Sequence, residues 1–161
     1  PVKLTKGVTL DAGANVLEVA YLLENLPQDR TFHFAAEMNF AGLPAGADDR
    51  YFRDMDGNRL GQLGERMDLS GASGLGLTDE WLGVDLSLTA NRSTGFWAFP
   101  IETVSQSEGG FELVHQSVAV VPHWHVQADQ HGRWSVTMQL AIDTSRAQAR
   151  AASHVLETAS V

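Results

Sequence analysis

Residues 134–143 alternate strictly, with Trp134, Val136, Met138, Leu140 and Ile142 on one side and Ser135, Thr137, Gln139 and Asp143 on the other. Successive side chains of an extended backbone point to opposite faces, so this pattern commits the segment to a strand with one buried face. Residues 32–39 repeat the pattern. Phe32, Phe34, Ala36 and Met38 alternate with His33, Ala35, Glu37 and Asn39. Residues 16–24 place Leu17, Val19, Tyr21 and Leu23 on one side and Ala20 and Leu22 among glutamates on the other, which predicts a central strand covered on both faces.

Further strands are expected over 3–8, 84–89, 94–99 and 111–121, none with helical periodicity. Turn signals fall between the strands at Leu26-Pro27-Gln28-Asp29, Asp56-Gly57-Asn58, Glu108-Gly109-Gly110 and Asp129-Gln130-His131-Gly132. Many strands joined by short polar turns give an all-β fold, a two-sheet antiparallel β-sandwich or a barrel, with few or no helices. Residues 61–76 are rich in Gly, Ser and Leu with weak periodicity and predict a long irregular connection. The Ala-rich stretch 146–161, with Arg146 and Arg150 at helical spacing, is expected to be a tail or short helix after a domain spanning 1–145.

With 161 residues, 43% of them hydrophobic, the chain supports one sizeable core. Its 20 acidic against 11 basic residues, a net charge of −9, disfavour a phosphate backbone or an anionic membrane as partner. No apolar run approaches the roughly 20 residues of a membrane-spanning helix. Cysteine is absent, so burial and hydrogen bonds carry the stability. The chain opens at Pro1 without a basic-then-apolar leader, which suggests a processed product or excised piece, and a cytoplasmic location is expected.

The densest polar stretch follows Trp97. Residues 97–112 read Trp-Ala-Phe-Pro-Ile-Glu-Thr-Val-Ser-Gln-Ser-Glu-Gly-Gly-Phe-Glu and set Glu102, Thr103, Ser105, Ser107, Glu108 and Glu112 between two strand-like runs. Such a loop either braces itself through local hydrogen bonds or presents acceptors to sugar hydroxyls. With Gln116 downstream, this run resembles the carboxy-terminal domain of α-amylase/4-α-glucanotransferase enzymes of glycoside hydrolase family 57. The matching positions are Trp97, Pro100, Thr103, Ser105, Ser107, Glu108, Phe111, Glu112 and Gln116. His115 stands where Tyr is expected and Ser117 where Gly would be unsurprising.

The resemblance implies a sandwich of the galactose mutarotase-like, or supersandwich, type. It also implies that the catalytic nucleophile and acid lie in an amino-terminal barrel outside this chain. The expected role is therefore that of a non-catalytic accessory domain of an α-glucan-acting enzyme, with the catalytic domain of the parent enzyme and α-glucan or maltooligosaccharide as partners. Glu102, Thr103, Ser105, Ser107 and Glu108 are candidate carbohydrate contacts. Trp81, beside Asp79 and Glu80, is the tryptophan best placed to offer an exposed stacking surface to a sugar ring.

His123 and His125 flank Trp124 at strand spacing, which puts both imidazoles on one face, a geometry that a sugar contact, a metal ion or a proton-transfer site can use. A mutarotase-like epimerase would pair one of them with a carboxylate base such as Glu37. An autonomous carbohydrate-binding module and a purely structural interface element are further alternatives. Finally, Asp54, Asp56, Asn58 and Glu65 fall at positions 1, 3, 5 and 12 of a calcium-loop spacing. Arg59 occupies the place of the loop's turn glycine, which favours a solvated hairpin tip; no other cofactor is expected.

Overall fold

The computed structural model describes residues 1–43, 45–107 and 109–158. Its strands, in chain order, are β1 (Lys3–Leu10), β2 (Val16–Glu24), β3 (Thr31–Ala35), β4 (Met38–Ala41), β5 (Arg50–Arg53), β6 (Arg59–Gln62), β7 (Met67–Asp79), β8 (Val84–Ser107), β9 (Gly110–Gln127) and β10 (Trp134–Asp143), followed by one helix, α1 (Ser145–Thr158). The strand ladders among the described residues are antiparallel and link all ten strands.

Two layers arise because β8 changes partner partway along. Residues 85–90 of β8 pair with β10, whereas Gly95–Ser107 pair with β9, while β7 follows the opposite edge of β8 from Val84 to Ala98. The first layer runs β1-β2-β10-β8-β7-β5-β6, and the second adds β9 with β3 and β4 along its far edge. At the changeover the side chains of Asn91 and Arg92 stand in for the departing backbone. Asn91 Oδ1 accepts from Thr137 N at 3.0 Å, and Arg92 Nε donates to Ser135 O at 2.6 Å. Backbone groups of β10 at Ser135 and Thr137 thus keep protein partners where the ladder itself ends.

Register explains the core. Leu17, Leu140, Leu88 and Leu75 form one row across four strands of the first layer, which continues to exposed Leu10 on β1. In the second, Met67, Ala98, Val120 and Met38 do the same across four. The layers meet through aromatic rings. Phe34 lies 5.3 Å from Tyr21 and 5.7 Å from Trp134, and Trp124 lies 5.6 Å from Trp134, all in tilted or edge-on geometry. Trp124 Nε1 donates 3.0 Å to Thr94 Oγ1, a buried pair at the bend of β8.

The all-β sandwich expected from alternation is what forms, with three local differences. Residues 61–76 are not an irregular connection: the end of β6 and most of β7 occupy them. Glycines broke the apolar period there because β7 must kink between layers, with register shifts between Leu69 and Gly74 and Gly71 at φ 69°. β2 is not central but second from the edge, since only exposed β1 lies beyond it. The polar run after Trp97 is not a loop, because β8 continues through it to Ser107.

Helix α1 starts where Asp143 Oδ1 accepts from Ser145 N at 2.8 Å. It is held over the β7–β8 turn by Arg150, whose guanidinium donates to Trp81 O and Glu80 O at 2.7 and 2.8 Å.

Candidate functional site

Even-numbered Phe96, Ala98, Val118, Val120, Trp124 and Val126 of β8 and β9 belong to the core cluster, so alternation turns Trp97, His123 and His125 to the opposite face, on which Ala119 and Val121 are also buried. On that outer face the register brings His123 of β9 beside Gly95 of β8 and Ala35 of β3, with His125 opposite His33. Three imidazoles and an indole converge. His123 stacks on Trp97 at 4.1 Å between centroids, and His33 packs edge-on to both Trp97 and His123 at 5.2 and 5.0 Å while stacking on His125 at 4.9 Å.

One hydrogen bond locks the cluster. His33 Nε2 and His123 Nδ1 are 3.0 Å apart, so one ring donates and the other accepts. His123 Nε2 is buried with no hydrogen-bond partner among the described residues. The ring lies over Gly95, where an added Cβ would stand 2.4 Å from its Cε1. Burial is the main cause that holds the His123 pKa below the usual histidine value; His33 and His125 push the same way and Asp68 opposes them. His123 is thus biased to stay neutral, presenting a dry, uncharged ring edge.

The carboxylate that acts on His123 is Asp68, paired with Trp97 from β7, rather than Glu37. Glu37 lies exposed between β3 and β4 and accepts from Asn39 Nδ2 at 2.9 Å. The acid–base pairing that an epimerase would draw from Glu37 is therefore not assembled here.

The remaining candidates lie elsewhere. Glu102, Thr103, Ser105 and Ser107 follow Trp97 along β8 by five or more residues, so they stand about 17 Å or more of extended strand away from it. Thr103 Oγ1 accepts from Gln116 Nε2 at 3.0 Å, Glu102 is exposed, Ser105 is paired opposite Glu112, and Ser107 meets Gly110 through the backbone. Glu108 lies outside the described residues. Glu102 pairs with His115 and Glu112 with Ser105, which places these two carboxylates on opposite faces of the β8–β9 ribbon. They cannot flank one scissile bond as an acid and nucleophile about 5 Å apart must. Trp81 is 69% exposed in the β7–β8 turn under α1.

Asp54, Asp56 and Asn58 make a self-contained turn. Both carboxylate oxygens of Asp54 are occupied, Oδ1 by Asp56 N and Asn58 N and Oδ2 by Asn58 Nδ2, and these bonds hold its pKa below the usual value. Glu65 Oε2 accepts from Gln62 N in a separate turn. Among the described residues no group of three or more His, Cys, Asp or Glu is arranged to hold a metal ion.

His33, Gly95 and Asp68 escaped sequence reasoning as site residues, and Trp97 entered it as a motif position and as one of four tryptophans able to stack on a sugar ring. His33 did stand on the polar side of the 32–39 alternation, but strand register, which sets it against His123 and His125, is not written in spacing.

The family model described as "Alpha-amylase/4-alpha-glucanotransferase, C-terminal" matches residues 1–138. The chain is 24% identical over 143 residues to alpha-amylase 1 of Dictyoglomus thermophilum, covering 85% of this chain and 20% of that protein. The crystal structure of 4-alpha-glucanotransferase from Thermococcus litoralis superposes with a TM-score of 0.54 at 17% identity, over 88% of this chain and 18% of that one, a likeness of fold. The chain spans about a fifth of the length of these relatives.

Proposed function

The chain belongs to the α-amylase/4-α-glucanotransferase C-terminal domain family, and from that premise we propose that it is a non-catalytic accessory domain of an α-glucan-acting enzyme of glycoside hydrolase family 57. It supports the catalytic part of a longer polypeptide and contacts glucan through the face formed by Trp97, His33, His123 and His125. The observation that carries the role is the family match over residues 1–138, on a chain about a fifth as long as its relatives. The pairing of Glu102 and Glu112 with opposite faces of their ribbon supports placing the bond-cleaving groups outside this chain.

The glucan contact rests on chemistry. A pyranose C–H face packs on an indole or a neutral imidazole, while exposed His33 and His125 offer ring nitrogens to hydroxyls. Calorimetric titration of maltooligosaccharides into the chain tests this. Binding that weakens about fivefold in Trp97→Ala, the equivalent of about 1 kcal/mol of stacking, is expected. Binding lost instead in Trp81→Ala would move the contact to the β7–β8 turn. Proton NMR of freshly dissolved α-glucose tests the catalytic alternative: anomer exchange accelerated by the chain and abolished in His123→Ala would overturn the non-catalytic role.

A further inference from the structure

Beyond Ile101 and Ser117 the β8–β9 hairpin leaves the sandwich. β7 stops pairing with β8 at Ala98, and β4 stops pairing with β9 at Ser117, so among the described residues the strand ladders of 102–107 and 110–115 join them only to each other. About six residues per strand project roughly 20 Å. The register shift between Ile101 and Glu102 sorts this arm into two unlike faces. Val104, Leu113 and Phe111 share one face with Glu102, Gln106 and His115, whereas Thr103, Ser105, Glu112 and Val114 share the other.

The apolar stripe is uncovered. Val104 is 68%, Leu113 66% and Phe111 78% exposed. An isolated two-stranded ribbon is marginal in water, and three adjacent bare apolar side chains on it are characteristic of an interaction surface. The base is firm: His115 Nε2 bonds Leu43 O at 3.0 Å and Gln116 Nε2 donates to Thr103 Oγ1. The arm is anchored and its outer end bare.

Charge selects the occupant. No Lys or Arg lies between Arg92 and Arg133, so the arm carries only carboxylates, on a chain of net charge −9. A second copy would bring Glu102 and Glu112 against like charges. The relatives supply about four-fifths of their length outside the matched region. We propose that the arm docks, through Val104, Leu113 and Phe111, into an apolar groove with a basic rim on the catalytic part of the same longer polypeptide. This rests on the accessory-domain role and names the surface that serves it.

Hydrogen exchange of the long polypeptide, read by mass spectrometry, tests the docking with Phe111→Ser as the variant. Phe111 is largely exposed in this chain, so an undocked arm loses nothing by the change. Slow exchange over 102–107 and 110–115 that accelerates about tenfold or more in Phe111→Ser, with β2 and β10 unaffected, is the expected result. Arm amides indifferent to the substitution would overturn the docking. So would arm protection that rises with protein concentration alongside dimerisation, since the occupant would then be a second copy. The accessory role fails separately: it falls if deleting residues 1–161 leaves turnover of α-glucan and thermal stability unchanged.

Discussion

The His123 imidazole stacks on the Trp97 indole with centroids 4.1 Å apart and planes 25° from parallel. Two strands of the second layer are thereby joined on the outer face as well as through their backbones, and the bond from His123 to His33 adds the third. The arrangement depends on a missing atom. Gly95 leaves the space in which the His123 ring lies.

Gly95→Ala therefore expels that ring. Elsewhere in a strand, replacing Gly with Ala stabilises slightly by restricting the unfolded chain. Here the added Cβ meets the imidazole at 2.4 Å, and a loss of about 1–3 kcal/mol is expected from urea unfolding. Histidine ring resonances of His33 and His123 shift together in the variant.

Acid weakens the fold through the same residue. A folded-state pKa below the unfolded value of about 6.5 means that the unfolded chain binds more protons, so stability falls as pH falls through that value and levels off below the folded pKa. His33, His125 and Asp68 are the titratable groups that face it. The midpoint of thermal unfolding, followed from about pH 8 to pH 5, is expected to drop more in the wild type than in His123→Gln. The hydrogen-bonded carboxylates of Asp54, Asp129 and Asp143 have lowered pKa values and the same sign of dependence, but their stability is lost below about pH 4, in a separate window.

Layer architecture was legible because Trp134–Asp143 and Thr31–Ala35 each bury one face, and a buried face writes its period into the sequence. The arm and β7 were not. Val104 and Phe111 line a surface this chain leaves bare, and the glycines of β7 serve a kink between layers, so neither carries a core period. The imidazole cluster was half visible: His123 and His125 share a strand, but Trp97, Asp68 and His33 reach them only through register.

Asn91→Ala removes the side chain that replaces β8 as partner of β10. Thr137 N then loses its acceptor, which costs about 1 kcal/mol. Faster exchange of that single amide, with the neighbouring β10 amides unchanged, is the local signature.

Asp54→Ala opens the 54–58 turn, because three donors lose their acceptor at once. The expected result is a modest fall in the unfolding midpoint, as when a capping side chain is lost. Since those oxygens are already occupied, neither added calcium nor a chelator is expected to shift the unfolding temperature of the wild type. A calcium-dependent rise lost in Asp54→Ala would contradict this assignment.

The account turns on the outer face of the second layer as the glucan contact, and an NMR titration of the isotope-labelled chain with a maltooligosaccharide reads it directly. Saturable shifts at the Trp97 indole N–H and at the rings of His33, His123 and His125, with the core Trp124 indole unmoved, are predicted. Shifts confined to Trp81, or none at any concentration of sugar, would contradict it.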